Sequence, residues 1–182
     1  MLVIISGVSG VGKNTIIQKL IEKTQNMYFS RSATTRPARP GETIYDFYSQ
    51  DEFDKKKENG DFFEVEESHG FFYATQNSEL QKIIDNPQNI YIKDIEVHGN
   101  QKLRKFFNGK VKVLSIFLDV SDDVLYERLI GRGESEERAK LRISRGKMER
   151  EYLGDYDIVI ENYDMEKTIE SISDFISKNI KK

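Results

Sequence analysis

Gly7-Val-Ser-Gly-Val-Gly-Lys-Asn-Thr15 follows directly on the apolar run Met1-Leu-Val-Ile-Ile5 and leads directly into Ile16-Ile17-Gln-Lys-Leu20-Ile21. A β-branched strand, a glycine-rich turn and an amphipathic helix, in that order, decide the fold. Gly7, four intervening residues, then Gly12 and Lys13 is the spacing of a phosphate-binding loop. Without side chains at Gly7, Gly10 and Gly12 the backbone can curl until successive N–H groups converge on one concavity. The helix that starts near Gly12 adds the positive end of its dipole, and Lys13 is the charge that reaches the β- and γ-phosphates of a nucleoside triphosphate. Gly7, Ser9, Gly10, Val11, Gly12, Lys13, Asn14 and Thr15 are therefore the candidate triphosphate site. Where the motif asks for Ser or Thr after the lysine to hold magnesium, this chain has Asn14 and then Thr15. An amide oxygen is also a hard donor, so both are candidate Mg2+ ligands.

Composition bounds the rest. At 182 residues and 37% hydrophobic content the chain can bury one sizeable core with inserted lobes. A net charge of −3, with 32% of residues charged, lacks the broad positive field of bulk nucleic-acid binding. The absence of cysteine excludes a disulfide frame, a thiolate nucleophile and cysteine metal sites, and it fits a cytoplasmic protein. The opening MLVIIS is too short for a signal peptide, and no apolar run approaches the length of a membrane helix. A soluble, cytoplasmic chain without nucleic-acid or membrane partners is expected.

In chain order, the first helix sets Ile16, Ile17, Leu20 and Ile21 on one face, and residues 27–30 read as a short strand. SATTRPARPGE, residues 32–42, holds two of the chain's three prolines and so is extended, not helical. Arg36 and Arg39 stand three apart on it, and two guanidinium forks so placed make an anion clamp. Residues 43–48 suggest a strand and 51–59 a short charged helix. Residues 62–73 suggest two strands joined through His69-Gly70, forming a small β-rich lobe whose aromatics are expected mostly in its own core. A helix near 78–84 precedes a strand over 89–94, a helix over 97–107 and a strand over 111–119. Strands alternating with helices predict a parallel sheet covered on both faces, with ligands at the carboxyl ends of the strands. Asp94 stands at such an end and is a candidate for magnesium coordination through water. Ser121 caps a helix ending near Gly131, and a highly charged helix spans about 135–152. Of Arg128, Arg132, Arg138, Arg142 and Arg145, most are expected on solvated faces and a few in a lid over a triphosphate. A strand over 156–160 and a helix with Ile169, Ile172, Phe175, Ile176 and Ile180 on its apolar face close the chain.

Together these pieces resemble the guanylate kinases, from Leu2 to about Asp164. The resemblance implies an α/β P-loop kinase with a parallel central sheet flanked by helices, a small β-rich monophosphate-binding lobe and a helical lid. It divides a single domain into a core (1–31, 85–120 and 153–182), a GMP-binding lobe (about 32–84) and a lid (about 121–152). SATTRPARPGE is similar to the family segment that binds the phosphate of GMP, which implies that role for Ser32, Arg36, Arg39 and, by its place after the loop, Tyr45. FFEVEESHGFFYAT resembles the family's FxE…GxYYGT/S, and this implies Glu64 as guanine reader, Tyr73 as phosphate ligand and Thr75 as base contact. IKDIEVHG resembles DIDxQG, which implies Asp94 near the metal and Glu96 near the guanine. GRGESEERAKLRISR resembles the lid segment, implying Arg132 and Arg142 on the triphosphate, and Asn162 matches the asparagine after the last strand, an ATP contact. The chain departs from the family pattern at Glu96, His98 and Ala74, where the family has aspartate, glutamine and glycine, and in a shorter loop before Tyr45.

The activity so implied is ATP-dependent phosphorylation of GMP, and of dGMP, to GDP by direct in-line transfer, in purine nucleotide metabolism. ATP and GMP are its small-molecule substrates and Mg2+ its cofactor, with Lys13, Arg36, Arg132 and Arg142 as candidate catalytic cations. A non-catalytic binding module of the same fold, and a related kinase of another phosphorylated acceptor, are the alternatives. The full phosphate loop speaks against the module, since scaffold versions typically lack one.

Overall fold

The structure, a computed structural model, describes residues 1–38, 42, 44–68 and 70–180. The chain begins with β1 (Leu2–Gly7), α1 (Lys13–Lys23), β2 (Met27–Phe29), β3 (Ser32–Thr34), β4 (Tyr45–Phe47), α2 (Gln50–Glu58), β5 (Phe62–Ser68) and β6 (Phe71–Gln76). It continues through α3 (Asn77–Asp85), β7 (Ile90–Asp94), α4 (Val97–Phe107), β8 (Val113–Asp119), α5 (Asp122–Gly131), α6 (Glu136–Arg150), β9 (Ile158–Glu161) and α7 (Met165–Ile180). Serine side chains start three of the helices: Ser49 caps α2 in a box with Glu52, and Ser121 and Ser135 cap α5 and α6. Among the described residues no helix is long and apolar enough to cross a membrane.

Five parallel strands in the order β2-β7-β1-β8-β9 form the central sheet. β1 lies at its middle and is buried throughout, which is why it reads as an unbroken apolar run instead of an alternation. Val3 and Ile5 join the core with Ile17 and Leu20 of α1 and Ile172 of α7 on one face. Leu2 and Ile4 join Leu80 and Ile83 of α3 and Leu103 and Phe107 of α4 on the other. The parallel sheet with helices on both faces is the architecture that the alternating pattern predicts.

A second sheet, in the order β4-β3-β6-β5, has β3 parallel to β4 and antiparallel to β6, with β5 and β6 as a hairpin. One of its faces packs Ala33, Ala74 and Phe72 on Phe53 of α2, whose ring lies 4.7 Å from that of Phe62. The lobe aromatics thus divide by strand parity: Phe72 faces this small core, while Tyr73 faces away from it. β3 is the element that the sequence left unseen. Three residues before a proline-rich segment carry little periodicity, and pairing on both sides is what makes them a strand.

Two packing features carry stability consequences. Gly7 ends β1 at φ 152°, and a Cβ there would stand 2.3 Å from the Leu118 carbonyl oxygen. Glu149, in the last turn of α6, is buried; its Oε1 lies 3.3 Å from Arg145 Nε, while its Oε2 accepts no hydrogen bond among the described residues. Burial, with Glu96 acting the same way, pushes its carboxyl up to about 7 against the opposing pull of Lys13 and Arg145.

Gly7→Ala is expected to cost about 2–4 kcal/mol through backbone strain and the clash with Leu118, and calorimetry showing an unchanged Tm would contradict this. For Glu149 the folded pKa lies above the ordinary 4.5, so the folded state binds the extra proton and stability falls as pH rises from about 4.5 to 7. Glu149→Gln removes that loss. Its stability relative to the parent should therefore improve by about 1–3 kcal/mol between pH 5 and pH 8, which paired denaturant titrations would read; a pH-independent difference would refute it.

Candidate active site

The turn from β1 into α1 is shaped from behind. Gly12, the residue before α1, has φ 106° and offers no side-chain cap, so the first-turn N–H groups are left facing the concavity. Asn162, directly after β9, donates from Nδ2 to the Val11 carbonyl at 2.7 Å and accepts from Thr168 Oγ1 at 3.0 Å. Arg128 of α5 donates to the carbonyls of Val11 and Asn162 at 3.1 and 2.7 Å. Gly7, Val11 and Asn162 thus form the back of the loop. Ser9, Gly10, Gly12, Lys13, Asn14 and Thr15 line a cavity of about 230 Å³ in front of it, with Arg36, Arg132 and Arg142 opposite. Lys13 is half-buried, and its Nζ donates to the Gly7 carbonyl at 2.7 Å.

A second cavity, of about 220 Å³, adjoins the first. Its wall is the small sheet, and strand register explains its composition. Tyr45 pairs with Ser32, Ser32 with Thr75 and Thr75 with Glu64, so residues from four strands form one transverse row. The next row on the same face includes Tyr73 and Glu66. Glu64 is nearly buried; it accepts from Thr75 Oγ1 at 3.3 Å and lies 3.0 Å from Lys102 Nζ of α4. Burial raises the Tyr45 phenol, and Asp94 beside it adds to the effect, so Tyr45 stays a neutral donor. Its ring meets that of Tyr73 edge-on at 5.8 Å, and Arg36, paired with Glu42 at 2.7 Å, lies 5.4 Å above it.

The two cavities share Ser9, Lys13, Tyr45, Tyr73, Asp94 and Arg142. Their outer ends differ in sign. One collects the carboxylates Glu64, Glu66, Glu96 and Glu149, and burial raises Glu66, with Glu64 and Glu96 adding to it. The other adds Arg36 and Arg132 to the shared Lys13 and Arg142. Asp94 pairs in register with Ile5, two residues before the loop; burial raises its carboxyl while Lys13 draws it back. Asn14, Thr15 and Asp94 thus bring hard oxygen donors to one cavity. No group of three or more His, Cys, Asp or Glu able to hold a metal occurs among the described residues. A donor set this sparse suits a cation that keeps water and phosphate oxygens in its shell.

All the sequence-derived site residues except Arg39 fall around these cavities or behind the loop; Arg39 lies outside the described residues. The expectation that most lid arginines are solvated needs correction. Arg142 reaches Ser9 Oγ at 3.3 Å and Glu134 at 3.1 Å, Arg145 reaches Glu96 at 3.0 Å, and Arg128 is tied to the loop as above. Arg145 lies one turn beyond Arg142 on the same helical face, a spacing that could have shown it. Glu66 lies two residues beyond Glu64 on one strand face, a similar signal. Lys93 was also missed: it is wholly buried in β7, with Nζ donating to Ser32 Oγ at 3.0 Å. Burial lowers it to about 8, so it is an ammonium at neutral pH. A lysine directly after the apolar run Ile90-Tyr-Ile92 was its signal.

Residues 1–179 match the family model described as guanylate kinase. The guanylate kinase of Chlorobium luteolum is 36% identical over 184 residues, covering 97% of this chain and 92% of that one. The guanylate kinase of Thermotoga maritima is 32% identical, with 94% and 83% covered. The crystal structure of guanylate kinase from Anaplasma phagocytophilum superposes with a TM-score of 0.74 at 28% identity, over 98% of this chain and 85% of that one. With its phosphate loop, its paired cavities and likeness along nearly its whole length, the chain belongs to the guanylate kinase family.

Proposed function

We propose that the chain transfers the γ-phosphoryl group of ATP to GMP, giving ADP and GDP. The observation that carries this reading is the meeting of two cavities, one cationic and one acidic at its outer end, at Lys13 and Arg142. Two polyanions must be brought together until an acceptor oxygen lies in line with the γ-phosphorus, so catalysis is positioning and charge neutralisation without a covalent intermediate. Lys13 and the loop amides hold the donor phosphates, and Arg132 and Arg142 close on the transferring group from α6 and the turn before it. Ser32, Arg36, Arg39, Tyr45 and Tyr73 hold the acceptor phosphate. Residues 32–84 form the acceptor lobe and 121–152 the lid on the remaining core. Asn14, Thr15 and Asp94 would hold Mg2+, which would supply further neutralisation of phosphate charge.

The acidic end accounts for the base. Guanine presents two adjacent donors, N1–H and the 2-amino group, and an acceptor-only carboxylate such as Glu64 takes both, with Thr75 and Glu96 beside it. Adenine would set its N1 lone pair against the carboxylate, an unpaired contact in a closed site that costs discrimination of roughly ten-thousand-fold. An ADP-release assay with ATP against GMP, dGMP, AMP, CMP and UMP tests the whole reading: GMP and dGMP should be turned over, and preference for AMP, CMP or UMP would overturn it.

Lys13→Ala should leave the fold intact and lower turnover by about a thousandfold, the scale of losing a cation that acts in the transition state; activity within tenfold of the parent would defeat the role given to the loop. Glu64→Gln must turn an amide donor toward a guanine donor, so kcat/KM for GMP should drop at least about tenfold with ATP affinity nearly unchanged. Equal losses for both substrates, or none, would show that Glu64 does not read the base.

A further inference from the structure

Lys93 occupies a position in β7 that pairs with Ile4 of the central strand and is wholly buried. By strand parity its side chain leaves the sheet on the face of Tyr91, toward the junction with the small sheet, where Nζ donates to Ser32 Oγ at 3.0 Å. That is its one hydrogen bond among the described residues. Four carboxylates act on it: Asp94 on its own strand, Asp46 on β4, Glu64 on β5 and Glu79 on α3. Three of these are directed elsewhere. Asp46 takes Arg31 and Gln76, Glu79 takes the Arg31 N–H and Lys82, and Glu64 takes Thr75 and Lys102. The surrounding field holds the ammonium in place, and its directional bond goes to Ser32.

We propose that Lys93 is a positioning residue for the acceptor phosphate: by donating to Ser32 Oγ, it turns the Ser32 hydroxyl proton into the cavity as a donor to an incoming monophosphate. The proposal rests on the reading of this cavity as the monophosphate site. A serine hydroxyl is both donor and acceptor and rotates to suit its surroundings. Ser32 lines a cavity that also holds carboxylates, whose field would otherwise compete for the orientation of its O–H. With an ammonium fixed on the oxygen, the hydroxyl's remaining offer to a phosphate is its O–H, and the cation behind it polarises that bond toward an anionic acceptor. A seam that only joined two sheets would need no charge, because methionine fills much the same space without the penalty of burying an ammonium.

The test uses the full chain and steady-state kinetics with ATP and GMP. Lys93→Met should raise KM for GMP about tenfold, the effect of losing one charge-assisted hydrogen bond, while KM for ATP stays within twofold. Combined with Ser32→Ala it should add little to the loss that Ser32→Ala causes alone, since both remove the same donor. A KM for GMP within twofold of the parent, parallel losses for both substrates, or additive losses in the double variant would overturn the role of Lys93. A parent enzyme that does not turn over GMP would instead overturn the kinase reading, so the two failures are distinguishable. Should Lys93→Met not fold, the parent protein decides by NMR of 15Nζ-labelled lysine. GMP should shift the slowly exchanging Lys93 ammonium signal more than guanosine does, and equal or absent shifts would overturn the proposal.

Discussion

The close approach of Gly7 to the Leu118 carbonyl, its register partner in β8, is the contact on which the rest depends. β1 is hydrogen-bonded to β7 on one side and β8 on the other and buried on both faces, so its end can only lead out over the carboxyl edge of the sheet. There the backbone turns at once into α1, and the turn is the loop. Its shape is secured by groups remote in sequence: Asn162 and Arg128 converge on the single carbonyl of Val11. The last third of the chain is therefore a mould for a segment in the first tenth, and a helix terminus without a capping side chain remains to meet a ligand.

Charge organises the space in front of that loop. Cations gather in front of the loop and carboxylates along the adjoining cavity, with Lys13, Arg142 and Asp94 common to both. Several charges are buried to achieve this. Glu149 sits buried in the last turn of α6 with its carboxyl pushed up, and Lys93 sits in the seam with its ammonium pushed down. Such groups lower stability unless compensated; their concentration around one cleft is the pattern expected of a site whose electrostatics are set for anionic ligands.

The small sheet shows how a few strands become a recognition surface. Its back face is an apolar core built on Phe53, and its front face aligns Tyr45, Ser32, Thr75 and Glu64 in one row. Shifting any strand by one residue would exchange the two faces. The apolar side, through Ala33, Ala74 and Phe72, thus holds the polar side in register. Tyr45 illustrates the point. The shorter loop before it left its role to resemblance, and pairing with Ser32 is what brings it to the cavity.

The loop, the order of strands and helices and the faces of α1 and α7 were legible in the sequence, because each depends on spacing within a few residues: two glycines with four residues between them and a lysine directly after, apolar side chains at helical period, a serine at a helix start. The resemblance of SATTRPARPGE and DIEVHG to family segments extended that reading to most of the residues around the cavities. Other features were decided only by the tertiary structure. β3 exists through its partners on both sides, Arg145 meets Glu96 across the cleft, and Lys93 donates to Ser32 from another sheet. Register, desolvation and charge pairing depend on groups that lie far apart along the chain and meet only when the sheets and helices pack, and no local spacing records them.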